Sequence, residues 1–350
     1  MASPGTEPPS AIPVPLAERP ETDGVPASPP IPPKSSEAVV DPAVSPTVPT
    51  SPVKQAVQPT LGEVITSTVT QNSYTMGMQI GEGNFSMVYA CTDVWNNELA
   101  AKVLKPLATY EKVEQAAIAE FQKLLYLRNP NITFVHDAFV FRDTFYIVTE
   151  RCAGSLAQVL FAMEGFKGQL WLMAIARCLL QAVQFIHVNN YVHQDIHTGN
   201  VFLSYVKDEL SLDGSAITFK LGDLGVARVF NEVDGTNTRA EWMLPPECLD
   251  SQEFGPMDKR IDIYHAGLLL LQIALSQQIQ FTREEILAGK PRSLALTLPA
   301  PYNFALEKAL RRHVEYRTAS AMELWRDLHS PAAAPEPAVS PDSPPTDPTA

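Results

Sequence analysis

The stretch YVHQDIHTGN, Tyr191 to Asn200, places two histidines, an aspartate and an asparagine between His193 and Asn200. Three readings fit those residue types at that spacing. His193, Asp195 and His197 alternate at every second position, as the ligands of a metal could. Asp195 as a base and Asn200 as an amide ligand to a hard cation would make a phosphoryl-transfer loop. A polar turn without chemistry is the third.

Three other places carry candidate chemistry. GEGNFS, Gly81 to Ser86, lies between two strand-like segments. A dinucleotide fold needs a helix after its glycines, which leaves a hairpin whose backbone N–H groups fold over phosphates or an ordinary turn. Lys102 sits in the apolar stretch LAAKVL, either as a buried ammonium, which needs a partner, or as an ordinary exposed strand lysine. Glu120, on the apolar-patterned helix that follows, is a plausible partner. GDLG, Gly222 to Gly225, puts Asp223 at the end of the strand AITFKL, a place suited to a Mg²⁺ ligand or to an ordinary turn.

The elements that must position these residues follow from composition and periodicity. Of 31 prolines, 16 fall in residues 1–60 and 7 in 331–350, and neither stretch has an aromatic residue. Such segments bury too little to offset chain entropy, so residues 1–70 and 331–350 are expected to be disordered tails. Their Ser-Pro pairs at Ser28, Ser45, Ser51, Ser330, Ser340 and Ser343, and runs such as PASPPIPP, read as spacers or as docking and phosphorylation segments. Between the tails, SYTMGMQIGEGNFSMVYACTDVWNNELAAKVL and FVHDAFVFRDTFYIVTE alternate as strands. The helix pattern ATYEKVEQAAIAEFQKLLYL lies between them. Beyond Gly154 the chain turns helical in SLAQVLFAM, GQLWLMAIARCLLQAVQFIHV and DIYHAGLLLLQIAL. A strand-rich part followed by a helix-rich part predicts one α+β unit of two lobes.

Charge and cysteines exclude some functions. A net charge of −13 and a pI near 5.0 argue against nucleic acid or an anionic membrane as partner. Cys91, Cys152, Cys178 and Cys248 show no metal spacing and read as reduced thiols of a cytoplasmic protein. No signal peptide is evident at MASPGTEPPSAIPVP. The apolar stretches are too short or, with Arg177, Gln181 and Gln184, too polar for a membrane span.

Taken in order, GEGNFSMVY, AAK, a helix glutamate, HQDIHTGN, DLG, PPE and DIYHAG resemble the signature set of eukaryotic-type protein kinases. Val148-Thr149-Glu150 resembles the segment joining the lobes of that family, and Arg317 resembles its late arginine that pairs with the PPE glutamate, here Glu247. The resemblance covers about residues 74–328. It implies a bilobal fold over residues 71–330, with a small β-rich lobe at about 74–150 and a larger helical lobe at about 153–330.

It also implies ATP and Mg²⁺ as cofactors and protein hydroxyls, Ser/Thr in preference to Tyr, as acceptors. By resemblance Asp195 is the base, Asn200 and Asp223 are the Mg²⁺ ligands, and Lys102, fixed by Glu120, grips phosphates. Gly81, Glu82, Gly83, Asn84, Phe85, Ser86, Val88, Ala100, Glu150 and Cys152 are the implied nucleotide contacts. His193 is expected to brace the loop. Two departures stand out. Gln194 replaces an arginine that binds an activation-loop phosphate, so phosphate on Thr236 or Thr238 has no such partner. His197 replaces a lysine that meets the transferred phosphate, either as a charged group or as a neutral ring bonded within the loop. HxDxHxGN also resembles small-molecule kinases of the aminoglycoside-phosphotransferase type, and a catalytically weak pseudokinase scaffold is the non-enzymatic alternative.

Overall fold

The computed structural model describes residues 57–83, 86–104, 127–159, 161–162, 165–207, 215–224, 228–229 and 243–330. The expected helix bearing Glu120, the loop residues Asn84 and Phe85, Thr236, Thr238, the 208–214 hairpin tip and the C-terminal segment lie outside these residues.

The first lobe is a six-stranded antiparallel sheet in the order β1-β2-β3-β4-β6-β5. Its strands are β1 Val64–Thr66, β2 Ser73–Glu82, β3 Ser86–Asp93, β4 Glu98–Leu104, β5 Val135–Phe141 and β6 Thr144–Glu150. Successive side chains in a strand point to opposite faces, and β4 shows the consequence. Leu99, Ala101 and Val103 join a core with Ile65, Tyr74, Met76, Tyr89 and Tyr146. Ala100 and Lys102 therefore face the other way. Register pairs Val88 with Lys102, Ala100 with Thr149 and Lys102 with Ile147, so these side chains share one face. The β5–β6 turn has φ of 47° at Arg142 and 58° at Asp143, the two left-handed positions that match the twist of a tight hairpin.

The lobe begins earlier than expected. Residues 57–70, assigned above to the N-terminal tail, are part of the fold. Ile65 is buried in the sheet core, β1 pairs with β2, Val57 N–H donates to Thr144 Oγ1 at 2.9 Å, and Arg142 pairs with Glu63 at 2.7 Å. Proline thins out after Pro52, which frees the backbone N–H groups a sheet edge needs.

The second lobe is built on two helices. Arg260–Leu275 is buried at nearly every position from Ile261 to Ala274, as expected of a helix that is apolar all round. Gly168–Val188 has the length and composition to cross a membrane. Here it is a core helix that buries Leu172, Ile175, Leu179, Val183 and Ile186. Of SLAQVLFAM, only one turn, Leu156–Val159, is helical among the described residues. Short strands β7 Gly154–Ser155, β8 Tyr191–Val192 and β11 Arg228–Val229 flank a long hairpin of β9 Val201–Lys207 and β10 Ser215–Leu221. The C-terminal helix Ala321–His329 closes the lobe.

Glu247 and Arg317 form the ion pair expected of them. Both side chains are fully buried, and the pair is bidentate, with Nη1 to Oε1 at 2.6 Å and Nη2 to Oε2 at 2.7 Å. Arg317 also donates to the carbonyls of Arg311, Arg260 and Arg312 at 3.0, 3.2 and 3.1 Å. All five guanidinium N–H donors are thereby used. Removing one partner of such a pair strands a buried charge, at a cost of about 3–5 kcal/mol. Arg317→Ala is expected to lower the melting temperature clearly in calorimetry, and coincident melting curves for variant and wild type would refute this.

Candidate active site

The loop Tyr191–Asn200 is held by one carboxylate. Asp262, fully buried in the first turn of Arg260–Leu275, accepts His193 N–H on Oδ2 at 2.8 Å and Gln194 N–H on Oδ1 at 2.7 Å. The His187 ring adds Nε2 to Oδ2 at 2.8 Å. Burial alone would raise the Asp262 carboxyl, but the His187 ring and the Gln194 N–H more than offset it and keep it below its ordinary range. This grip steadies Gln194 at φ 69°, a left-handed backbone that non-glycine residues seldom adopt.

The buried His193 ring is used on both nitrogens. Nε2 donates to Gly222 O at 3.0 Å, and Nδ1 accepts Asp195 N–H at 3.2 Å. The ring is therefore an internal brace, and neither nitrogen has a lone pair left for a metal ion. Among the described residues no cluster of three His, Cys, Asp or Glu side chains suits a metal ion.

Asp195 and Asn200 are in contact. Asn200 Nδ2 donates to Asp195 O at 2.9 Å and to Asp195 Oδ2 at 3.0 Å. Those bonds fix the amide's orientation and turn its Oδ1 away from Asp195. Burial pushes the Asp195 carboxyl up, and the neighbouring His197 and His193 rings bring it below its ordinary value. A carboxylate that stays ionised has the state a base requires.

The GDLG turn is tied to this loop. Gly222 N–H donates to Asn200 O at 2.8 Å, which complements the His193 to Gly222 bond. A side chain at 222 would meet the Phe202 ring at 2.6 Å, so the close approach of β9 to the turn requires glycine. Asp223 follows at φ 57°, and its Oδ1 lies 2.9 Å from Lys102 Nζ. The Lys102 ammonium is the main cause holding the Asp223 carboxyl low. A side-chain amide and a carboxylate are the oxygen donors a hard cation such as Mg²⁺ takes, so the set fits that ion. The expected Lys102–Glu120 pair lies outside the described residues.

The other expected nucleotide contacts surround this centre unevenly. Gly81, Glu82, Gly83 and Ser86 bound the β2–β3 turn, where Gly83 N–H donates to Ser86 O at 2.8 Å. Val88 and Ala100 share the Lys102 face of the sheet. The Glu150 carboxylate is turned to Lys220, at 2.8 and 2.7 Å, and to Phe134 N–H at 2.7 Å. What Glu150 can offer a ligand is therefore main chain. Burial, then the Glu150 charge, pushes the neighbouring Cys152 thiol up to about 12, which keeps it neutral. Thr149 and Ile147 share the Lys102 face, and Phe202 lies under Gly222; none was singled out from sequence as a contact. The alternation of β6 could have pointed to Thr149, whereas Phe202 is placed by a contact across 20 residues of chain.

Residues 74–313 match the family described as Protein kinase domain. The chain is similar to serine/threonine-protein kinase TAO2 of Rattus norvegicus, 27% identical over 218 residues that make up 62% of this chain and 17% of that protein. It is also similar to the RAF proto-oncogene serine/threonine-protein kinase of Xenopus laevis, 28% identical over 218 residues, 60% of this chain and 31% of that protein. The alignments thus span less than a third of these relatives' length.

Asp262→Asn keeps the size of the side chain but points an amide N–H₂ at groups that are themselves donors. The expected loss is at least about 1.5–3 kcal/mol, the worth of a hydrogen bond to a charged group. Because the folded carboxyl is held low, its contribution is full above the unfolded value, near pH 4, and is lost as pH falls through the folded value. Urea unfolding should show a gap between wild type and Asp262→Asn at neutrality that narrows below about pH 4. A gap independent of pH would contradict the assignment.

Proposed function

The chain belongs to the protein kinase domain family, and from that premise we propose that it transfers the γ-phosphoryl group of ATP to protein hydroxyl groups, serine or threonine as acceptor, with Mg²⁺. The observation that carries this reading is the bonded series from Lys102 through Asp223 and Gly222 to Asn200 and Asp195. The lysine, the base and the two oxygen donors for Mg²⁺ are together in it, which favours a catalyst over a scaffold. The names of the similar kinases support the Ser/Thr assignment.

In this mechanism Asp195 receives the proton of the attacking hydroxyl as the new O–P bond forms and the bond to the ADP oxygen breaks. Lys102 holds phosphate oxygens. Asn200 and Asp223 would hold the Mg²⁺, which neutralises charge on the phosphate oxygens when bound. His193 and Asp262 keep the loop in register. Four single thiols, Cys91, Cys152, Cys178 and Cys248, support a reducing, cytoplasmic setting.

The deciding experiment maps phosphosites by mass spectrometry after incubation with ATP, Mg²⁺ and a protein panel, with sugars and aminoglycosides as a parallel arm. Phosphate on protein serine or threonine is expected; transfer confined to small molecules would overturn the reading. Asp195→Asn should lower kcat by about 10²–10⁴-fold with nucleotide binding nearly unchanged, and near-normal turnover would remove Asp195 as base. Gln194 is fully buried and carries no charge. Thr236→Ala/Thr238→Ala is therefore expected to keep most of the activity, and a folded but inactive double variant would show that another cation reads a loop phosphate.

A further inference from the structure

His197 stands where the resemblance places a lysine, yet its ring is wired as a neutral donor. Gly199 N–H donates to Nδ1 at 3.0 Å, so Nδ1 presents its lone pair and the ring proton sits on Nε2. The Cε1–Nδ1 edge of the ring lies against Gly199. A Cβ there would come within 2.7 Å of Cε1 and 2.9 Å of Nδ1, so only glycine leaves the ring its place. Asn200 N–H donates to His197 O at 2.9 Å and closes the same turn. Nε2 then faces Asp195 Oδ2 at 3.8 Å, with the two side chains 28% and 25% exposed. Asn200 Nδ2 addresses that same Oδ2 at 3.0 Å. Two N–H groups thus converge on one carboxylate oxygen, and among the described residues no donor is directed at Oδ1.

We infer that His197 is a positioning residue for Asp195: its Nε2–H, held in place by Gly199, secures Oδ2 together with Asn200 and leaves Oδ1 to take the substrate proton. The inference rests on the phosphotransfer reading above. At 3.8 Å the contact is longer than a hydrogen bond, and catalytic contacts of this kind tighten once substrate is docked. A neutral donor suits the task. It orients the carboxylate without the full positive charge of a lysine, which would pair with Asp195 and weaken it as a base. HTGN is then one device, in which His197 supplies the donor, Gly199 the seat and Asn200 the second donor.

Two substitutions separate this role from a purely local one. His197→Asn keeps an acceptor near the Nδ1 position for Gly199 N–H but removes the Nε2 donor. His197→Gln puts an amide N–H near the Nε2 position and drops the turn acceptor. Melting temperature, kcat, and KM for ATP and for the protein acceptor are measured for both. The expected result is that His197→Asn melts like wild type, keeps its KM for ATP and loses about 100-fold in kcat, the effect of a misplaced reacting group. His197→Gln should regain most of that loss. The reverse order, with Asn near wild type and Gln impaired, would overturn the inference while leaving the phosphotransfer reading intact, as would equal kcat values for the two. Wild-type protein without turnover on any acceptor would sink the phosphotransfer reading and this inference with it. Nitrogen-15 NMR of the histidine rings gives a readout free of activity. A proton on Nε2 of His197 is expected, and a proton on Nδ1 would overturn the inference.

Discussion

A single buried carboxylate sets the geometry on which the candidate site depends. Asp262 is fully buried, and leaving such a charge without partners costs several kcal/mol. Its oxygens are met by His187, His193 N–H and Gln194 N–H, all within 2.8 Å. Its place in the first turn of Arg260–Leu275 adds the favourable end of the helix dipole. The arrangement is satisfied only when the backbone at 193 and 194 presents two successive N–H groups to one side chain. That requirement imposes the left-handed turn at Gln194 and so the direction in which Asp195 leaves the loop.

The constraint passes outward through short bonds. His193 carries it to Gly222, Gly222 N–H returns it to Asn200, and Asp223 follows with its own left-handed backbone. The loop and the acidic turn are therefore bonded to each other in both directions. The link to the first lobe differs in kind. Lys102–Asp223 is 2.9 Å long but 20% and 46% exposed, so solvent weakens it relative to the buried bonds behind it. The site thus has a buried floor and a more solvent-exposed bridge to the sheet. The Glu150–Lys220 pair holds the other side, joining the end of β6 to the strand that leads to Asp223.

What was legible in sequence was chemistry confined to short spacings. HQDIHTGN, AAK and DLG show their residue types within a few positions, because a reacting centre needs particular groups on one turn or strand. The strand-to-helix transition was equally plain, since periods of 2 and 3.6 differ over a dozen residues. Partners set by tertiary contact were not legible. Lys220 and its partner Glu150 stand 70 residues apart in the chain. The strand at Val64–Thr66 was hidden because the proline-rich composition before it masked a short ordered segment. The tautomer of His197 rests on an N–H two residues on, and no composition or spacing reports a proton.

The same helix turn that carries Asp262 also meets the structural ion pair. Arg317 Nη1 donates to Arg260 O at 3.2 Å, and its guanidinium lies 4.9 Å from the centre of the Tyr264 ring. One residue further, the His265 ring bonds Met243 O at 3.1 Å, just ahead of Glu247. Residues 260–265 thus hold the His193–Asn200 loop through Asp262 and the Met243–Glu247 segment through His265 and Arg317. Groups that share partners in this way do not contribute independently. A change at Arg317 is therefore expected to reach Arg260 and the Asp262 turn, and through Asp262 the loop at His193 and Gln194. The Glu247–Arg317 pair is accordingly more than an anchor for the C-terminal segments. It seats the helix end whose carboxylate sets the loop, which is why a fully buried ion pair with five satisfied donors stands about as deep in this lobe as Asp262 itself.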